Sequence, residues 1–376
     1  MDWIKKEWHI PPLFNNSDES NIEEWEKYRR SVLLKLFSEE MYGITPAILP
    51  DKLLPQIVEE NPLDRGGKNR YKKINLELWF GDRSITLEIQ QWLPFGKGPF
   101  PVQMMIDPFE HALFRNYSFY EYYHFFPSDL ITDRGYAAVK VNTSTICMDD
   151  WSTFREGIYE LVNYSNESIP EKKRWGAIGI WAWAGSRCMD YLLTQPEIDS
   201  NKVAISGMSR GGKAALWCGA QDERIAIVMS NVSGIGGSAI IRGKNGEHIK
   251  DITTNFPHWF CNKFAEYSED EDSLPIDSHM LLAMIAPRPI YVASASEDIW
   301  ADIYAEYKGL KLSSEIYKLY YPNIELPETK PKENVPIHVG PIGYHTREGS
   351  HDLTDYDWIQ YMDFCDKYFM KGNEMQ

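Results

Sequence analysis

The stretch Lys202-Val203-Ala204-Ile205-Ser206-Gly207-Met208-Ser209-Arg210-Gly211-Gly212-Lys213-Ala214-Ala215-Leu216 constrains the fold more than any other part of the chain. Its apolar start reads as a buried strand, Gly207 to Gly211 as a tight turn with the pattern G-x-S-x-G, and the remainder as the beginning of a helix. A chain that reverses so sharply around one serine has no room for a β-carbon on either side, and the flanking glycines meet that demand. Ser209 is thereby pushed out at the carboxyl end of the strand. The N–H of Arg210, first in the following helix, is placed to stabilise a negatively charged oxygen. The plainer alternative is a turn whose serine only caps the helix; the strand before it and the helix after it favour a nucleophile.

The surrounding pattern supplies a sheet for this turn. From Pro101 onward, short and nearly continuous apolar runs alternate with helix-length segments, as parallel strands covered on both faces require. Strands are predicted at 102–106, 137–141, 203–206, 225–230, 290–293 and 342–345, with a helix over 175–193 that ends ahead of Pro196. Upstream, 76–80 and 84–89 alternate around a Gly81-Asp82 turn and read as an antiparallel hairpin. Earlier still, Trp25, Tyr28, Val32, Leu33, Leu36 and Phe37 recur at helical spacing. The reading is an α/β-hydrolase fold: a doubly wound, mostly parallel sheet with helices on both faces and an N-terminal helical and hairpin extension. With 376 residues the chain makes one large domain rather than two average ones. Residues 1–72 are assigned to an extension packed on the main domain and 73–376 to the catalytic domain.

Composition excludes several classes. The formal net charge of −16 repels polyanions at long range, so neither nucleic acid nor an anionic membrane is expected as a partner. No stretch approaches the roughly 20 uninterrupted apolar residues of a membrane helix. The first residues, Met1-Asp2-Trp3-Ile4-Lys5-Lys6-Glu7-Trp8, do not show the basic, apolar and small-residue sequence of a secretory leader, and a cytoplasmic location is expected. Five scattered cysteines form no C-x-x-C pair, so neither a disulfide framework nor a metal site is predicted. Gly234-x-Gly236-x-x-Ala239 matches a dinucleotide fingerprint loosely but comes too late in the fold, and no cofactor is expected. Oligomeric state leaves no signal in the sequence.

A serine hydroxyl is a weak nucleophile at neutral pH and needs a histidine base, which in turn needs a carboxylate to fix its tautomer and stabilise its cation. In this fold the three follow in the order serine, acid, histidine. The strand at 290–293 runs into Ser294-Ala295-Ser296-Glu297-Asp298, where Asp298 is the preferred acid by its distance from the strand end and Glu297 the alternative. Of the histidines beyond it, His351 lies in a loop between the last strand and a helix, where the base belongs. His345, nearer the strand, reads as buried and hydrogen-bonded. His258 and His279 precede the acid and suit structural or substrate-lining roles. Trp175, Trp181, Trp183 and Trp217 fall on predicted helices and read as core. Trp300 and Trp259, in loops near the carboxyl edge, are candidates for substrate contact.

Gly207-Met208-Ser209-Arg210-Gly211-Gly212-Lys213 resembles the G-C-S-R-x-G-K elbow of the glucuronoyl esterases, carbohydrate esterase family 15. The blocks Ser233 to Ala239, Phe256 to Phe260, Leu281 to Pro289 and Gly343 to His351 resemble those of its bacterial members in the same order. The resemblance spans about half the chain. It implies that Ser209 is the nucleophile, that Arg210 supports the oxyanion, that Lys213 binds sugar hydroxyls of a uronate, and that Trp300 contacts its ring. The substrate it implies is a small or oligosaccharide ester, foremost a glucuronoyl ester of hemicellulose-derived oligosaccharides. Fungal members carry their catalytic glutamate where this chain has Val232, so the acid must come from the loop after Ala293. Deacetylation of xylo-oligosaccharides is the nearest competing activity. A peptidase or amidase using the same triad, or a binding protein on a dead scaffold, stands further off, because the former usually adds a large lid and the latter a lost triad member.

Overall fold

The computed structural model describes residues 9–14, 20–109, 124–163, 168–243 and 245–370. Its sheet has ten strands: β1 (Lys52–Leu63), β2 (Asn69–Phe80), β3 (Arg83–Leu93), β4 (Phe100–Asp107), β5 (Ala137–Asn142), β6 (Ile198–Ser206), β7 (Ile227–Asn231), β8 (Ile290–Ala295), β9 (Ile337–Val339) and β10 (Ile342–Arg347). They stand in the order β1-β2-β3-β5-β4-β6-β7-β8-β10-β9. Every pairing from β5 across to β10 is parallel, and these are the strands the apolar runs predict. The flanking pairings are antiparallel, with β2 and β3 forming the predicted hairpin.

Strand alternation divides the sheet into two apolar faces. Met104, Val139, Ile205, Val228 and Val292 face one way. There they meet α1 (Arg30–Phe37), α2 (Ala177–Leu192), α3 (Arg210–Gln221) and α4 (Ile303–Tyr320), whose buried members include Leu33, Trp181, Trp217 and Leu310. Met105, Ala138, Ala204, Met229 and Ala293 face the other way, onto Trp358, Tyr361, Met362 and Phe364 of α5 (Asp355–Phe369). Trp175, Trp181, Trp183 and Trp217 are buried in the first layer, as core tryptophans should be.

The N-terminal part departs from expectation. The boundary drawn after residue 72 falls inside β2, and β1 extends the same sheet by pairing with β2 along its length. β1 escapes sequence reading because it is an edge strand, exposed along almost its whole length and interrupted by Pro55 and Pro62, which argue against a strand. The predicted helix around 25–37 is present, yet Tyr28 and Val32 point to solvent while Trp25, Leu33 and Phe37 are fully buried. Trp25–Arg29 is a π-helical turn, and its extra residue per turn rotates the apolar stripe away from ideal α spacing. The segment is tied into the core by Tyr42, which stacks on Trp217 at 4.7 Å and donates its hydroxyl to the Gly236 carbonyl.

At the far end of the sheet, Asp357 joins β10 to α5. Its carboxylate accepts from His345 Nε2 at 2.9 Å, Arg347 Nε at 3.0 Å, and the backbone and hydroxyl of Thr354, the N-cap of α5. Burial raises the Asp357 pKa, but the His345 hydrogen bond and the neighbouring cationic charge outweigh it and hold the carboxyl below its usual range. A depressed carboxyl contributes stability that is fully present above the unfolded value, about 4, and is lost as pH falls through the folded value. Asp357→Ala, which strands Arg347 in the interior, is therefore expected to cost about 3–5 kcal/mol at pH 7. Denaturant unfolding of both proteins checks this, and the gap should narrow as pH falls below about 4.

Candidate active site

Gly207 to Gly211 folds as a strand-to-helix turn. A β-carbon on Gly207 would lie 2.2 Å from the Gly211 carbonyl oxygen, and one on Gly211 2.8 Å from the Ile106 carbonyl oxygen, so both positions exclude a side chain. Between them Ser209 takes φ 54°, ψ −121°, a backbone conformation that a non-glycine residue holds only when its surroundings impose it. Those surroundings are main-chain bonds to the next strand: Ser209 N–H donates to Asn231 O at 2.8 Å, and Asn231 N–H to Gly207 O at 3.0 Å. The helix α3 starts at Arg210, so the free N–H groups of its first turn lie beside the serine.

Ser209, Asp298 and His351 line one cavity of about 330 Å³, at the small end of ligand-sized sites, about 300–1,000 Å³. Asp298 Oδ2 meets His351 Nδ1 at 2.5 Å. An ionised carboxylate can only accept, so this contact places the proton on Nδ1 and leaves Nε2 as the basic nitrogen. Burial raises the Asp298 pKa, but the bond from His351 and the backbone N–H of Ala301 overcome it, and the carboxyl lies below its usual range. Arg347 builds the loop that carries the histidine. Its Nη2 donates to the carbonyls of Ser350 and Asp352 on either side of His351, and its Nε is anchored on Asp357.

The cavity wall opposite is cationic and aromatic. The Lys213 side chain is only 3% exposed; its Nζ donates to Ser233 O at 2.6 Å and lies 5.6 Å from the Trp259 ring. Desolvation lowers its pKa to about 8. Trp259 is buried and gives its indole N–H to Asp149 at 2.7 Å, whereas Trp300 is 61% exposed at the rim. Arg210 pairs with Asp149, and its Nε is a buried donor with no hydrogen-bond partner among the described residues.

The structure thus gathers Ser209, His351, Asp298, Arg210, Lys213, Trp259 and Trp300 around one space. Glu297 is not among the lining residues; it is exposed, and Asp298 alone of the two reaches the histidine. His345 is buried between Tyr291 and Asp357, as the hydrogen-bonded reading has it. His279 bonds the Pro11 carbonyl far from the cavity, while His258 sits behind the wall on Asp149. Val232, where the fungal acid would stand, lines the cavity with φ 40°. Sequence reasoning missed Glu247, which faces the cavity near Lys213, and Asp149, Arg347 and Glu306 behind it. Asp149 lies shortly beyond the carboxyl end of β5, the edge at which sites of such sheets form, and that position was the available signal. Glu306 carries none; it lies in the first turn of α4, where an acidic residue is ordinary, yet accepts from Gly234 N, Ser238 Oγ and Ser294 Oγ, and burial pushes its carboxyl up to about 7.

A serine on a strained strand-to-helix turn, sharing a cavity with a histidine that a carboxylate orients, on this sheet, defines the α/β-hydrolase class. The model of one family within it, described as fungal glucuronyl esterase, matches residues 80–320, and the chain belongs to the glucuronoyl esterase family. It is similar to a solved glucuronoyl esterase from Solibacter usitatus, with TM-score 0.85 and 32% identity, covering 95% of this chain and 97% of the other. A solved esterase of carbohydrate esterase family 15 from a marine bacterial metagenome gives TM-score 0.84 and 30% identity over 97% and 98%. A carbohydrate esterase from an unknown prokaryotic organism is 42% identical over 225 residues, 60% of this chain and 52% of that protein. The match therefore spans about half the length of that relative, and 37% of a 4-O-methyl-glucuronoyl methylesterase from Podospora anserina.

The desolvated Lys213 gives a pH signature. Its folded pKa is depressed to about 8 from 10.5, so its charged form opposes folding below pH 8 and this penalty fades as pH rises toward 10.5. Wild type is expected to gain stability on Lys213→Met between pH 8 and pH 10, by up to about 3 kcal/mol. Parallel unfolding curves at the two pH values test it.

Proposed function

We propose that the protein is a serine-dependent carboxylic ester hydrolase of carbohydrate esters, acting foremost on glucuronoyl esters of hemicellulose-derived oligosaccharides. The observation that carries the reading is the 2.5 Å contact of His351 with Asp298 in the cavity that also holds Ser209. In this mechanism Ser209 Oγ attacks the ester carbonyl carbon while His351 Nε2 takes its proton. The backbone N–H at Arg210 and the unpartnered guanidinium Nε hold the oxyanion. His351 then gives the proton to the departing alcohol. Water, deprotonated by the same nitrogen, releases the acid from the acyl-enzyme.

Substrate preference follows from the opposite wall. Lys213 supplies donors and Glu247 acceptors for ring hydroxyls, and the exposed Trp300 indole offers a flat apolar face to a pyranose ring. An acetyl group as the acyl part would leave such a set without partners on that side, which favours a uronate there. The activities for which the relatives are named, glucuronoyl esterase and 4-O-methyl-glucuronoyl methylesterase, support the same choice.

The test is hydrolysis of methyl or benzyl glucuronate beside 4-nitrophenyl acetate and an acetylated xylo-oligosaccharide. Serine-dependent cleavage favouring the glucuronate ester is expected; cleavage of acetate esters alone would replace this reading with a deacetylase. Ser209→Ala should abolish turnover in a folded protein. Asp298→Asn should lower kcat by about 10³–10⁴ because the histidine loses its tautomer, while Glu297→Gln stays close to wild type.

A further inference from the structure

Asp149 lies beyond the cavity but is bonded to its wall from three sides. Its Oδ1 accepts from His258 Nε2 at 2.9 Å and Trp259 Nε1 at 2.7 Å, and its Oδ2 pairs with Arg210 Nη1. The Asp149 side chain is 5% exposed and that of Arg210 21%, so the pair is largely withdrawn from solvent rather than a surface contact. The Arg210 guanidinium is further sandwiched by aromatic rings, 4.6 Å from the centroid of Trp259, 5.0 Å from Phe109 and 5.5 Å from Phe256. These contacts orient the guanidinium, and the carboxylate balances its net charge while Nε keeps a hydrogen bond to give.

We propose that Asp149 is a positioning residue that fixes the Arg210 side chain and neutralises it, so that the site admits an uncharged ester and disfavours the carboxylate produced by hydrolysis. The inference rests on the uronate-ester reading above. Charge accounting supports it. Among the described residues, Arg210 and Lys213 at the wall are set against two lining carboxylates, Glu247 and Asp298, and against Asp149 behind them. During acylation the proton leaving Ser209 stays on His351, so the oxyanion and the imidazolium form together and the net charge of the site does not change. Hydrolysis ends differently: water adds across the acyl–serine bond, the serine regains a proton, and the released acid gives its own proton to solvent. A product carboxylate therefore adds one uncompensated negative charge to a site that already has an excess of them. Ester and carboxylate share their ring and hydroxyls, so hydrogen bonds and stacking to the ring do not distinguish them, and this charge does.

The experiment is calorimetric titration of the wild-type protein at pH 7.5 and low salt with the methyl glycoside of glucuronic acid and with its carboxamide. The amide is expected to bind at least tenfold more tightly. In Asp149→Asn the carboxylate should gain at least tenfold, and Asp149→Glu, which keeps the charge, should restore the wild-type order. Equal or tighter binding of the carboxylate by the wild type overturns the proposal, and this arm holds even where Asp149→Asn fails to fold. An unchanged preference in a folded Asp149→Asn also overturns it. If neither sugar binds, it is the uronate reading that fails. Inhibition of 4-nitrophenyl acetate turnover by acetate against acetamide then decides this inference: stronger inhibition by acetamide upholds it, and by acetate sinks it.

Discussion

Two main-chain hydrogen bonds between the serine turn and β7 are the constraint on which the remainder of the site depends. Ser209 N–H to Asn231 O and Asn231 N–H to Gly207 O hold a backbone that would otherwise relax, since φ 54° costs a non-glycine residue of order 1–3 kcal/mol. The strain is sustained because the turn cannot move: Gly207 and Gly211 meet main chain at contact distance, and α3 is locked on β7. There a β-carbon on Gly219 would come within 2.3 Å of Val228. A serine held in one place can share a cavity with a histidine more than a hundred residues away in sequence without either having to search for the other.

Buried charge is the second organising element, and in each case the fold supplies partners on several sides. Asp357 gathers His345, Arg347 and the N-cap of α5; Arg347 then uses its remaining donors on the two carbonyls that flank His351. Asp149 does the same for Arg210, His258 and Trp259. Breaking such a group leaves an unpaired charge in low dielectric, so the histidine loop and the arginine wall are fixed by the same term that makes their loss costly. Glu306 extends this pattern behind the cavity, joining the loop after β7 to the end of β8 through Gly234, Ser238 and Ser294.

What the sequence made legible was set by how local the cause is. The parallel strands were readable because burial on both faces makes them continuous apolar runs, and the turn at Ser209 because its steric demand is written in adjacent residues. Asp298 could be preferred over Glu297 by spacing alone, since the strand end fixes which carboxylate can turn inward. β1 was not readable, because its stability comes from pairing with β2 and its composition reads as coil. The burial of Lys213 was not readable for a related reason: whether a lysine on the first turn of a helix is wet or buried depends on Trp259 and the Ser233 carbonyl, which approach from other parts of the chain. Asp149 and Glu247 belong to the same class, each defined by a partner distant in sequence.

The strand order explains why the acid can stand after β8 instead of after β7. β8 lies between β7 and β10 in the sheet, and the loop that carries His351 leaves β10 at the same carboxyl edge. An acid following β8 is therefore in the nearest neighbouring loop to the histidine, and Ser296 and Glu297 bond the main chain of Arg347 and Gly349 on the way. An acid at position 232 would have to reach across one further strand. Val232 still keeps φ 40°, a costly conformation for a β-branched residue, and its N–H is bonded to Ala293 O. The main chain at 232 is thus held by the sheet edge itself, so the backbone geometry of that corner does not require a carboxylate there, and the acid is free to be supplied from the adjacent strand.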